Sequence, residues 1–168
     1  MNRTHRLTFP IDAQTARTLR AGDFVVLDGE ITITAGLPTH DRILEYLRAG
    51  KPFPYDLRGK SLMHLGSYSR DTDGDFEVLY MNPTTSTRFN AVMPPIIRAL
   101  DLHAVGGKGG LDAECVKAMQ ETGCVYLSFL GGGCTLHSRA MREVVSVEWD
   151  DFIAHYRLTT VRVDALPV

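Results

Sequence analysis

Three short segments place small, polar or glycine residues where a backbone can meet an anion. They are Asn82-Pro83-Thr84-Thr85-Ser86-Thr87-Arg88, Gly106-Gly107-Lys108-Gly109-Gly110 and Gly131-Gly132-Gly133-Cys134-Thr135. Glycines let backbone N–H groups approach a ligand closely, and Thr or Ser hydroxyls add donors. Two of the segments carry a cation. Arg88 can grip a carboxylate through two parallel hydrogen bonds, whereas Lys108 is a compact point charge. Such a pair suits a small dicarboxylate or hydroxy acid better than a long polyanion. Any one segment also reads as ordinary structure, with Thr84 to Ser86 capping a helix and the glycines turning corners. The series of three, two of them cationic, sets anion binding beside that plainer reading.

Other chemistries fit the residues less well. A phosphate-binding loop needs G-x-x-x-x-G-K-[ST], but Gly109 follows Lys108 where a hydroxyl should hold magnesium, and no G-x-G-x-x-G follows the first strand. The run Asp71-Thr72-Asp73-Gly74-Asp75 places its glycine one position too early for a calcium loop and lacks the later Glu, so it reads as a hairpin turn. The six histidines are scattered without ligand spacing, and His40, at the start of a predicted helix, is the one candidate for a functional role. Cys115, Cys124 and Cys134 form an odd set without C-x-x-C spacing, which fits neither a disulfide framework nor a zinc site.

The elements that must carry these segments follow from periodicity. Two apolar runs, Asp23 to Leu27 and Ile31 to Ala35, flank Asp28-Gly29 and predict a hairpin. A helix is predicted from Thr39 to Arg48, with Ile43, Leu44 and Leu47 on one face, Gly50 as its end and Pro52 beyond. Ser61 to Leu65 and Phe76 to Met81 read as strands. From there strand-like segments (Phe76 to Met81, His103 to Val105, Cys124 to Leu130) alternate with helical ones (Ser86 to Leu100, Leu111 to Thr122, Thr135 to Met141). That alternation predicts an α/β layer with parallel pairing. Leu111, Cys115, Ala118 and Met119 form a core-facing stripe, Asp112 and Glu114 favour that helix's positive start, and Gly123 closes it. Val144 to Glu148 and Leu158 to Val163 return to strands. In an α/β arrangement the pre-helix segments fall at one sheet edge, with positive helix ends behind them.

At 168 residues the chain is the length of one domain, 1–168, large enough to need no disulfide staples. Apolar residues are 44% and charged residues 23%, with 15 Gly and 8 Pro, which excludes a disordered or fibrous chain. A net charge of −2 gives no electrostatic reason to expect nucleic acid or an anionic membrane as partner. No apolar run reaches the roughly 18 residues that span a bilayer, and Met1 to Arg6 lack the apolar stretch of a secretory leader. A cytoplasmic location is the expectation.

The ordered set of motifs resembles the C-terminal domain of class I fumarases, found elsewhere as the β subunit of fumarate hydratase or L-tartrate dehydratase. The resemblance runs from Leu19-Arg20-Ala21-Gly22-Asp23 through Pro54-Tyr55-Asp56-Leu57-Arg58-Gly59-Lys60 to Val145-Ser146-Val147-Glu148-Trp149. Its most specific parts are Pro83-Thr84-Thr85-Ser86-Thr87-Arg88, Gly107-Lys108-Gly109-Gly110 and the 20-residue interval from Arg88 to Lys108. It implies a swivelling β/β/α domain of α/β class, a mixed sheet with helices packed on it, closing over an active site built mainly by an α subunit. It also implies that a 4Fe-4S cluster sits on that α subunit and none on this chain, whose cysteines do not match cluster ligands. A hetero-oligomer or dimer is expected, with a small dicarboxylate as substrate. By the same resemblance Thr84 is the proposed base and Arg88 and Lys108 match carboxylate-binding residues. Thr84 and Lys108 are the catalytic candidates, Thr84, Thr85, Arg88 and Lys108 the substrate-binding ones, and His40 a possible further site residue. A threonine base is demanding, since Lys108, a helix end and exclusion of water must all favour the alkoxide.

The chain departs from that pattern in places. Gly36 and Leu37 stand where the family has an Arg-Asp pair, Asn82 where it has Gly, and Phe89 where it has Met. Losing a charge-assisted carboxylate contact costs on the order of 1.5–3 kcal/mol. The departures point either to a substrate other than fumarate or tartrate or to lost activity. Two functions stay open: the β subunit of a hydro-lyase acting on a small dicarboxylic or hydroxy acid (fumarate/malate, tartrate or related), or a non-catalytic anion-binding or structural module that retains the fold.

Overall fold

In the computed structural model, residues 3–73 and 75–168 are described, so the glycine of the acidic turn, Gly74, lies outside them. The strands are β1 (Thr4–Phe9), β2 (Phe24–Ile33), β3 (Ser61–Met63), β4 (Leu65–Thr72), β5 (Asp75–Pro83), β6 (Ala104–Gly107), β7 (Val125–Ser128), β8 (Met141–Glu148) and β9 (Leu158–Pro167). The helices are α1 (Ala13–Thr18), α2 (Leu37–Ala49), α3 (Met93–Leu100), α4 (Ala113–Thr122) and α5 (Cys134–Ala140), with 3-10 turns at Ser86–Phe89 and Ala154–Tyr156.

Seven strands form one mixed sheet in the order β7-β6-β3-β2-β9-β8, with β1 alongside β2, and β4 and β5 make a separate two-stranded ribbon. β7, β6, β3 and the end of β2 pair in parallel, as the βα alternation predicts, while β9 and β8 run antiparallel. The central strands are short and buried on both faces, so their side chains alternate between two cores. Leu62 and Val105 face α2, α3 and α4, packing with Ile43, Ile96 and Cys115. Their neighbours Met63 and Ala104 face the ribbon side, packing with Leu27, Leu65 and Met81. The order of layers is ribbon, sheet, helices, which is the α/β architecture expected from the sequence.

The predicted hairpin at Asp28-Gly29 is corrected: β2 runs unbroken from Phe24 to Ile33. Gly29 is in the left-handed half of backbone space (φ +89°), and any Cβ there would collide with the Phe9 carbonyl oxygen. The glycine admits the β1 backbone at a bulge in the strand; it does not turn the chain. Asp28 accepts hydrogen bonds from Arg6 and the Ala165 N–H, which hold its carboxyl down at about 2.

The predicted helix Ser86–Leu100 is likewise two pieces, because Pro94 and Pro95 start α3 and cannot continue a preceding helix. β1, α1 and β4 carry too few apolar residues to show by periodicity. α2 and α4 end at Gly50 and Gly123 as expected, and Asp112 caps α4 through the Cys115 N–H at 3.0 Å.

Candidate functional site

The loop after β5 and the loop after β6 are stitched together by backbone. The Lys108 N–H donates to the Thr84 carbonyl at 3.0 Å, and the Ser86 N–H donates to the Lys108 carbonyl at 2.8 Å. Thr84 is tied from the other side, its N–H donating to the His64 carbonyl at 2.8 Å. The third loop closes on the second, for a Cβ at Gly131 would lie 3.6 Å from the Lys108 stem. Three segments distant in sequence therefore meet at one place.

Gly107 allows this approach. A side chain there would overlie the Ser86 hydroxyl and lie 3.1 Å from the Thr84 carbonyl oxygen, so only glycine lets the two loops pair.

Thr84 and Lys108 line a common cleft of about 250 Å³, a volume suited to a small acid. Its walls are Tyr80, Asn82 and His155, with Ala35, Gly66 and Pro83 beneath. The residues that line it carry a hydroxyl, a phenol, an amide, an imidazole and an ammonium, and none carries a carboxylate. That set of groups receives anions. A larger cavity of about 590 Å³ lies between the Leu19–Val25 segment and β7. Its lining is mostly apolar and holds none of the loop residues, so the chemistry lies at the smaller cleft.

The other candidates fall nearby but not in the lining. Thr85 is half-buried and bridges to Lys108 through backbone pairing. Arg88 is exposed on the 3-10 turn, outside the cleft wall and with no ion pair among the described residues. His40 is fully buried, stacked on Phe89 at 4.3 Å between ring centroids. Its Nδ1–H donates to the Gly36 carbonyl at 2.6 Å, and burial lowers it to about 4, so it stays neutral and apart from the cleft. Of the positive helix ends expected behind the loops, that of α4 is covered by the Asp112 carboxylate, while those of α3 and α5 carry no side-chain cap.

Beneath the loops lies a network that sequence reasoning missed. The Ser86 hydroxyl hydrogen-bonds His64 Nδ1 at 2.8 Å and the Tyr126 hydroxyl at 2.9 Å, and the Gly110 N–H donates to that phenol at 3.2 Å. Burial holds His64 well below the ordinary histidine value, with neighbouring His40 adding to the effect. Burial also pushes the Tyr126 hydroxyl up, against its hydrogen bonds. These groups fix both loops without facing the cleft. No spacing signal marks them, because the three side chains come from β5's loop, the β3–β4 joint and β7.

At Gly36, where an arginine was expected by resemblance, there is no room for a side chain. A Cβ would lie 2.6 Å from Thr39 Oγ1 and 2.8 Å from Tyr156 Cβ. The 3-10 turn at Ala154–Tyr156 occupies that space.

Among the described residues, no three His, Cys, Asp or Glu side chains come together. Cys115 and Cys124 are pushed up to about 12, chiefly by burial, which opposes the thiolate form that iron ligation requires. The thiols of this chain do not fit an iron–sulfur cluster. Nor is any helix among the described residues long and apolar enough to cross a membrane.

The family described as "Fumarase C-terminus" matches residues 3–168. A Methanocaldococcus jannaschii protein named "Putative L(+)-tartrate dehydratase subunit beta" is 32% identical over 135 residues, spanning 80% of this chain and 69% of that one. The Escherichia coli "L(+)-tartrate dehydratase subunit beta" is 30% identical over 145 residues, 86% of this chain and 70% of its own length. A Geobacillus stearothermophilus "Putative fumarate hydratase class I" is 31% identical over 147 residues, covering 87% of this chain and 27% of the relative.

Proposed function

The chain belongs to the fumarase C-terminus family, and from that premise we propose that it is the β subunit of a hydro-lyase that adds or removes water on a small dicarboxylic or hydroxy acid. The observation that carries this reading is Thr84 and Lys108 sharing one cleft that no carboxylate lines. Lys108 receives a substrate carboxylate and Thr84 on the adjoining loop orients the acid, while Thr85 and Arg88, outside the cleft lining, take part only as a partner closes over it. Thr84 faces the carbon that gains or loses a proton. Its hydroxyl is a weak acid, and the neighbouring ammonium favours the charged form once a partner closes the open cleft and excludes water. The beta-subunit naming of the relatives supports an α partner, to which we assign the 4Fe-4S cluster, since the cysteines here offer no thiolate set.

The test is co-expression with a candidate α subunit, anaerobic cluster reconstitution, and assays with fumarate, mesaconate and tartrate. Lys108→Ala should raise KM at least tenfold, and Thr84→Ala should lower kcat by about 100-fold or more if it moves the proton. Full turnover in Thr84→Ala, Arg88→Ala and Lys108→Ala alike removes the site assignment. The closed space at Gly36 favours a second reading, a non-catalytic module that keeps the anion cleft. Calorimetry that finds acid binding to a complex with no turnover selects it.

A further inference from the structure

The 3-10 turn at Ala154–Tyr156 does more than fill the space at Gly36, because it presents His155 to the cleft that holds Thr84 and Lys108. Its backbone is held from several directions. The Ala35 N–H donates to the His155 carbonyl at 2.9 Å, and Thr34 and Thr39 both donate hydroxyl hydrogen bonds to the Tyr156 carbonyl. Arg42 pairs with Asp151 through two bonds of 2.7 Å and stacks over Phe152, anchoring the approach to the turn on α2. The imidazole itself is exposed and makes no hydrogen bond among the described residues. A rigid backbone thus carries a free polar ring at the wall of an anion cleft. Beside it is Asn82, whose Oδ1 is buried without a partner.

We infer that His155 and Asn82 determine which acid the cleft accepts, selecting a substrate that carries a hydroxyl beside its carboxylate. The inference rests on the reading that this cleft binds a small acid. An arginine offers only donors and matches a carboxylate; a neutral imidazole and an amide each offer a donor and an acceptor. A bare carboxylate only accepts, so it leaves those acceptors unmet. A hydroxyl both donates and accepts, and rotation of Asn82 about its broad χ2 turns the unpartnered oxygen to meet it. Gly36, closed by Tyr156, leaves no room to restore a cation by a single substitution.

The experiment titrates the full-length chain with L-tartrate and with succinate, which differ in the two hydroxyls. Heteronuclear NMR follows the His155 ring, the Asn82 amide and Lys108. Tartrate is expected to bind about tenfold more tightly than succinate and to shift all three signals, one good hydrogen bond being worth about that factor. His155→Ala and Asn82→Gly should erase the preference, and His155→Gln, which keeps a donor and an acceptor, should retain part of it. Equal affinity for the two acids in the unaltered chain, or an unchanged preference in His155→Ala and Asn82→Gly, overturns the inference. Binding that survives Lys108→Ala intact overturns instead the reading of the cleft itself, and no binding of either acid, by the chain alone or by its complex with the co-expressed α subunit, overturns both.

Discussion

Ser86 is buried in the loop that carries Thr84, and its hydroxyl is shared between His64 and Tyr126. Removing that hydroxyl strands the buried His64 Nδ1, which costs about 1–3 kcal/mol without a partner, and leaves the half-buried Tyr126 hydroxyl with the Gly110 N–H alone. Ser86→Ala is therefore expected to lower unfolding free energy by roughly 2 kcal/mol or more in urea titrations, a loss too large for a hydroxyl facing solvent. Thr84 and Lys108 were legible in the sequence because their loop motifs are contiguous. Ser86 lay inside the same motif, yet its partners are 22 and 40 positions away, and nothing in a linear string brings them together. Burial separates the thiols in the same way. Cys115 and Cys124 are expected to resist iodoacetamide at pH 8 in the folded chain and to react once urea unfolds it, as mass spectrometry can resolve site by site. Rapid labelling of either in native buffer contradicts their placement.

Elements with local punctuation were readable: α2 and α4 announce their ends through Gly50 and Gly123, and α4 its start through Asp112. Elements defined by distant neighbours were not. Asp28-Gly29 has the composition of a tight turn, but its glycine answers to Phe9 on β1, a strand whose pairing with β2 no local pattern announces. The two readings of Gly29 predict different outcomes for Gly29→Ala. In an exposed turn the change costs about 1 kcal/mol, the usual penalty for a left-handed alanine. In a continuous β2 the new methyl also drives into the Phe9 carbonyl, and the cost should exceed about 3 kcal/mol. Thermal denaturation of the variant distinguishes these, a small loss in Tm restoring the hairpin. Similarly, Gly36→Arg should destabilise the chain rather than repair its acid binding, because Tyr156 occupies the space.

The two cores and the ribbon meet at His64, the single residue between β3 and β4, and at His40, which packs with it against Phe89. The rings of His40 and His64 lie 5.3 Å apart, both fully buried, and each keeps an Nε2 without a hydrogen-bond partner. Protonating either would place an uncompensated charge at the seam between layers, which is why burial depresses both. An unfolded histidine titrates near 6.5, whereas folded His40 titrates at about 4. Between those values the unfolded chain holds more protons than the folded one, so stability falls as pH drops through that window. His40 alone accounts for a loss on the order of 3 kcal/mol by the bottom of it, and His64 acts in the same direction. The Asp28 carboxylate, held at about 2, loses its contribution only at more acidic pH and so leaves the window to the histidines. Urea denaturation at pH 7.5 and 4.5 should show the chain markedly weaker at the lower value, and His40→Gln should flatten that dependence while lowering stability at neutral pH. A pH profile that stays level between 7 and 4.5 means that His40 and His64 titrate normally, and that the seam joining sheet, ribbon and helices is open to water.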